Sequence, residues 1–161
     1  VYPFAAELFR QAANAGNPEA QYALATFYKE GRGVEKNLVE AATLVRAAAV
    51  ADNLDAEVEY AIALFNGTGV ARDETAAARL FLRAASKGNP IAQNRLAKLY
   101  QFGLGIAPDT IEAAAWHLAA RSQGLKDAAL DDLFERLKPE QQARAARMAA
   151  GRISSAVLTA P

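Results

Sequence analysis

The sequence contains no cysteine, which removes disulfides, thiolate nucleophiles and Cys-ligated metals together. It leaves the redox compartment open. Serine is scarce, limited to Ser86, Ser122, Ser154 and Ser155, and none stands in a motif that supplies an adjacent base. A single histidine, His117, lacks the partners a general base needs. Catalytic residues are therefore expected to be none.

An excess of charge is missing as well. Eighteen Lys and Arg balance eighteen Asp and Glu, so no positive field is available to neutralise phosphates and no acidic surplus to draw in a basic partner. Nucleic acid is not an expected partner. Long apolar runs are absent: the alanine-rich stretch after Ile111 is interrupted by Glu112 and His117, well short of the roughly 20 apolar residues that cross a bilayer. Membrane insertion is not expected. The sequence starts at Val1 with no basic n-region or apolar h-region, so any secretion signal would already have been removed from it.

What is present is apolar surface, 52% of 161 residues, enough to bury the core of one compact domain or a short repeat array. Internal similarity is easy to find. Three segments, 20–55, 56–91 and 92–127, align without a gap, their starts Ala20, Ala56 and Ala92 lying 36 residues apart. The pairs Gly31/Gly33, Gly67/Gly69 and Gly103/Gly105 recur in register, each followed by an aliphatic residue, Val34, Val70 or Ile106. About eleven residues with helical periodicity precede each pair and about fourteen follow it. Each unit reads as helix A, glycine turn, helix B.

The first glycine suits a helix C-terminus that needs positive φ, and the second a tight turn. A phosphate-binding loop is the alternative for G-x-G, but no strand precedes it and no third glycine follows. Asn37, Asp73 and Asp109 fall just before helix B, where a short side chain caps the free amides of the first turn. Repeated alanines, Ala41/Ala77/Ala113, Ala42/Ala78/Ala114 and Ala48/Ala84/Ala120, let neighbouring helices approach closely. The larger core members are expected to be Leu24, Tyr28, Leu44, Tyr60, Leu64, Leu80, Leu96, Leu99, Tyr100 and Trp116.

These residues carry a family resemblance. Leu96, Ala97, Tyr100, Gly103, Gly105, Asp109, Ala113, Trp116, Ala120 and Gly124 resemble the pattern of the Sel1-like repeat, a longer-turned relative of the tetratricopeptide repeat. The second repeat departs at Tyr60 and Leu64, and the first lacks the aromatic at Leu44. The resemblance covers about residues 5–127 and implies an all-α fold, a right-handed α-solenoid of helix-turn-helix units (α/α superhelix).

One repeat domain over 1–161 is expected. Residues 1–19 form a half repeat, since Ala5 to Pro18 match Ala77 to Pro90. Either chain upstream of Val1 or Tyr2, Pro3 and Phe4 cover its open face. Residues 128–150 form capping helices, with Pro139 in the first turn of the last, and 151–161 a frayed tail.

Two other features need placing. His117 sits where the other repeats carry Val45 and Phe81, a packing position. The acidic residues Asp52, Asp55, Glu57 and Glu59 lack the spacing and glycine of a calcium loop and read as a solvated turn with a favourable helix N-terminus. No metal and no cofactor are expected.

In tetratricopeptide-like stacks the A helices line the concave side. With Leu24, Ala25 and Tyr28 facing the core, the outward stripe falls at Tyr22, Thr26 and Lys29, then at Val58, Ile62 and Phe65, and at Asn94, Lys98 and Gln101. Each trio is i, i+4, i+7, one helix face. An apolar middle trio with polar flanks is the layout of an anchor with a hydrogen-bonding rim; burial between helices is the other fate of such a stripe. The resemblance implies a non-catalytic scaffold, a monomer binding a peptide or protein on its concave face, in a bacterial periplasmic or secreted setting. The alternative is a cell-envelope module that recognises glycan or peptidoglycan fragments.

Overall fold

A computed structural model describes the backbone of residues 1–159 and the side chains of residues 1–153. Among the described residues there are nine helices and no strand, so the chain is all-α, as the repeats require. It divides into two compact units, Val1–Asp73 and a second from Glu74 onward. The cut falls in the turn of the middle repeat.

The first unit holds α1 (Tyr2–Asn14), α2 (Pro18–Glu30), α3 (Leu38–Val50) and α4 (Leu54–Asn66). Consecutive helices pack on one another. Leu24 is buried with Ala6, Ala13 and Ala20, and Phe9, Phe27, Tyr28 and Leu44 close around them. A second cluster, Ala48, Ala49 and Ala56, takes the rings of Tyr22 and Tyr60. Of the residues expected to cover the half repeat, Tyr2 packs edge-on to Phe27, whereas Pro3 and Phe4 stay exposed.

The second unit holds α5 (Glu74–Ser86), α6 (Pro90–Phe102), α7 (Thr110–Ser122), α8 (Ala128–Glu135) and α9 (Pro139–Thr159). Helix α7 is its centre, packed by α6, α8 and α9, and five of its residues from Ala113 to His117 are buried without a break. Alanine at three positions in every repeat's B helix is what lets other helices come this close. The expected cap is longer than the sequence suggests: α9 runs past Ala150 through Arg152 to Thr159. The Arg152 guanidinium lies 4.2 Å over the Trp116 ring and pairs with Glu112, a cation–π contact that anchors the helix beyond the expected end. The last two residues of the expected tail lie outside the described residues.

The turns work by two mechanisms. Gly103 ends α6 in the left-handed region, φ 66°, where a β-carbon is disfavoured. Gly105 faces a stricter demand, because a β-carbon there would stand 2.2 Å from the carbonyl oxygen of Glu74. The same holds at Gly69, where it would stand 2.0 Å from the carbonyl oxygen of Leu38. The second glycine of each pair thus admits the start of the preceding B helix, beyond the tight turn read from sequence.

Caps follow the repeat. Asn37 accepts from the Glu40 amide and Asp109 from those of Ile111 and Glu112, while Asp73 immediately precedes α5. A second set went unread in the sequence: Asn17, Asn53 and Asn89 cap α2, α4 and α6 by accepting from Ala20, Ala56 and Ala92. Their 36-residue spacing was the available signal.

Candidate functional site

The nine residues of the stripe differ in exposure. Val58 and Asn94 are buried, at 4% and 8% exposure. Phe65 is half-buried with the Arg72 guanidinium 5.7 Å over its ring. Within each unit the physical reason is visible: this face of an A helix turns toward the next A helix. Thus Lys29 of α2 pairs with Glu59 of α4 at 3.5 Å, and Asn94 and Lys98 of α6 both reach Asp127 at the head of α8, at 3.0 and 3.3 Å. The site expected at Val58, Ile62 and Phe65 is redrawn accordingly, since Val58 offers a partner no surface.

In the first unit the two A helices stand apart over α3. The gap is a cleft of two chambers, about 200 and 220 Å³, that share Lys29, Ala41, Val45 and Glu59. Tyr22 and Thr26 line one chamber and Ile62 the other. Four of the nine stripe residues, Tyr22, Thr26, Lys29 and Ile62, are therefore brought together. The floor is Ala41, Ala42 and Val45 of α3, small enough to leave room, and the Lys29–Glu59 pair crosses the opening with both side chains substantially exposed. An ion pair this exposed contributes only a few tenths of a kcal/mol, on the order of 0.2–1, so it is easily exchanged for other partners. The Tyr22 phenol is held above its ordinary pKa, first by burial and then by the negative charges of Glu59 and Asp55.

The second unit places polar side chains along part of the same register. At the place of Val45 stands His117, fully buried, with Nε2 2.7 Å from Asp131. A carboxylate only accepts, so Nε2 carries the proton. Arg121 adds a second bond to the same oxygen at 2.9 Å. His117 is thus a packing residue with a carboxylate partner. Asp127 caps α8 by accepting from the Leu130 amide. Burial disfavours its charge, but the bonds from Asn94, Leu130 and Lys98 outweigh that and hold its pKa below the usual carboxylate value. Gln101, at the place of Lys29, lines a cavity of about 330 Å³ with Thr110, Leu133 and Arg136, so the second unit keeps an opening beside these polar contacts.

The four acidic residues around the start of α4 go different ways. Asp52 sits in the turn with φ 65°, Asp55 in the first helical turn, Glu57 is buried and Glu59 meets Lys29. Among the described residues no group of His, Asp and Glu is placed to hold a metal ion, and no helix is long and apolar enough to cross a membrane.

Comparison with known proteins decides the family. The Sel1 repeat model matches residues 1–17, 18–52, 54–89 and 90–125. The chain belongs to the Sel1 repeat family. It is similar in structure to a Sel1 repeat protein from Oxalobacter formigenes, with 27% identity and a TM-score of 0.74 over 94% of this chain and 64% of that one. It is also similar to c5321, a protective antigen of uropathogenic Escherichia coli strains with an SLR fold, at 25% identity and a TM-score of 0.64, over 93% of this chain and 40% of the other. The chain therefore spans less than two thirds of either. No curated protein matches it. Sel1-like repeats generally mediate protein–protein interaction and are typically non-catalytic scaffolds.

Proposed function

We propose that this Sel1 repeat chain is a non-catalytic adaptor that takes a peptide segment of a partner protein into the cleft between α2, α3 and α4. The observation that carries this reading is the cleft itself: an alanine and valine floor under a polar, exchangeable rim, the arrangement of an anchor pocket with its hydrogen-bonding border. Chambers near 200 Å³ are smaller than the roughly 300–1,000 Å³ typical of small-molecule sites and suit single side chains of a peptide. Tyr22 is the one aromatic residue lining them, a thin platform for a glycan. We also propose a periplasmic or secreted setting on the strength of the family resemblance, checked by fractionating cells that make the intact protein.

The binding site is tested with a peptide selected from a random library against the chain. Ile62→Ala should weaken that peptide by about 1 kcal/mol or more, as a central anchor does, and Phe65→Ala should leave its affinity unchanged. The reverse pattern would move the site out of the cleft.

A further inference from the structure

We infer that the outward face of α3 docks an amphipathic helix of a partner protein, in the way that the same face of α7 holds α9. This face lies on the side of α3 away from the cleft floor at Ala41, Ala42 and Val45, so it stands apart from the peptide-binding reading above.

The repeat supplies the comparison. Helices α3 and α7 each have 13 residues and align in register from first to last. On α7, Ala115 clusters with Ala145 of α9, and Ile111, Leu118 and Met148 close around them. The counterparts of Ile111, Ala115 and Leu118 in α3 are Val39, Thr43 and Arg46, and Val50 continues the same face. These residues are open: Val39 is 64% and Val50 78% exposed, and Thr43 and Arg46 are exposed with them. The Thr43 hydroxyl donates to the Val39 carbonyl of its own helix at 3.0 Å, so covering it would leave no donor unmatched.

Charge points to the same occupant. On α7, Glu112 flanks the covered face and receives Arg152 from α9. Its counterpart Glu40 flanks the open face of α3, half-buried, and its carboxylate has no ion pair or hydrogen bond among the described residues. A carboxylate that has lost part of its hydration without gaining a partner favours an incoming cation. On the other flank, Arg46 can lay its aliphatic stem along an apolar side chain while its guanidinium stays in water. The occupant therefore carries the pattern of Ala145, Met148 and Arg152: two small or flexible apolar side chains at i and i+3 and a cation at i+7, all on one helix face.

The test adds that pattern as a free peptide, Pro139–Ile153 with acetylated and amidated ends, to the full chain. NMR follows the methyl groups of Val39 and Val50, with those of Ile111 and Leu118 as the control. Shifts are expected at Val39 and Val50, with α9 still seated on α7. Val39→Glu should weaken the peptide by about tenfold, as loss of a central contact does, and Glu40→Gln by about threefold, the scale of an exposed ion pair. Arg46→Leu, which gives α3 the lining of α7, should tighten it by about fourfold, as one more buried methylene would. All three chains should keep the melting temperature of the parent. No effect of Glu40→Gln or of Arg46→Leu would overturn the likeness to α7. Shifts confined to Ile111 and Leu118 would mean that the peptide only displaces α9, and they would overturn the docking face, as would no shift at all. Self-association of the chain alone, seen by sedimentation and lost in Val39→Glu, would assign the face to a second copy and overturn the partner reading.

Discussion

Between α6 and α8, Asp127 gathers Asn94 and Lys98, and Asp131 takes His117 and Arg121. Between α2 and α4 the same register carries Tyr22, Thr26, Val45 and Glu59, and two chambers remain open. The helices, glycine turns and asparagine caps are shared. What differs is a handful of side chains at the seam, so the same frame carries different linings through substitution at positions that do not specify the fold.

If the frame is shared, it should break equally in both units, and this is the largest effect expected. Gly69→Ala and Gly105→Ala each drive a β-carbon toward a carbonyl oxygen, at 2.0 and 2.2 Å, and add left-handed strain. A loss of about 3 kcal/mol or more is expected for each, strain and clash together. Gly67→Ala and Gly103→Ala meet mainly side-chain atoms, at 3.2 and 3.0 Å, and should lose about 1–2 kcal/mol from φ alone. Chemical denaturation of the four variants tests the order; a smaller loss at the second glycines would show that the turn relaxes.

The second unit's seam should depend on its buried polar groups. His117→Val removes a fully buried group bonded to Asp131 and is expected to lower stability by about 2 kcal/mol, from the lost bond and the space left behind. Val45→Ala, at the open counterpart, should lower it by about 1 kcal/mol, since part of that side chain already borders the cleft. Equal losses would mean that the two seams are packed alike.

The frame was legible in the sequence and the seam was not, for a physical reason. Gly31, Gly67 and Gly103, the N-caps and the alanines act through local backbone geometry, which recurs with the 36-residue period and needs no knowledge of neighbours. The destination of Val58, Ile62 and Phe65 depends on what stands opposite, and a helical wheel cannot distinguish a solvent-facing stripe from one turned to the next A helix. Tyr22, Thr26, Lys29 and Ile62 came out together because they lie on facing sides of one gap. The partners that bridge the other seam, Asp127 and Asp131, belong to the cap and first turn of a helix whose register could be read but whose contacts could not. Helix α9 was read short because its anchor, Arg152 on Trp116, is a contact across 36 residues of sequence.

The smallest effect carries a pH signature that sharpens the comparison. Asp127 caps α8 and holds Asn94 and Lys98; Asp55 has no such set of partners. Asp127→Ala should therefore lose about 1 kcal/mol at neutral pH, the usual worth of an N-cap, and Asp55→Ala should stay within about 0.5 kcal/mol of the parent, as surface changes do. The folded-state pKa of Asp127 is lowered, so its charge stabilises the fold. That contribution is complete above the unfolded carboxylate value of about 3.9 and is lost as the pH falls through the lower folded value, because below both the native state no longer binds fewer protons. Melting curves of the parent should consequently fall between pH 5 and the acid limit more steeply than those of Asp127→Ala, a window set by the usual carboxylate range of about 4 and below. Identical acid limbs for the parent and Asp127→Ala would show that the Asn94–Lys98–Asp127 contact does not stabilise the fold in solution.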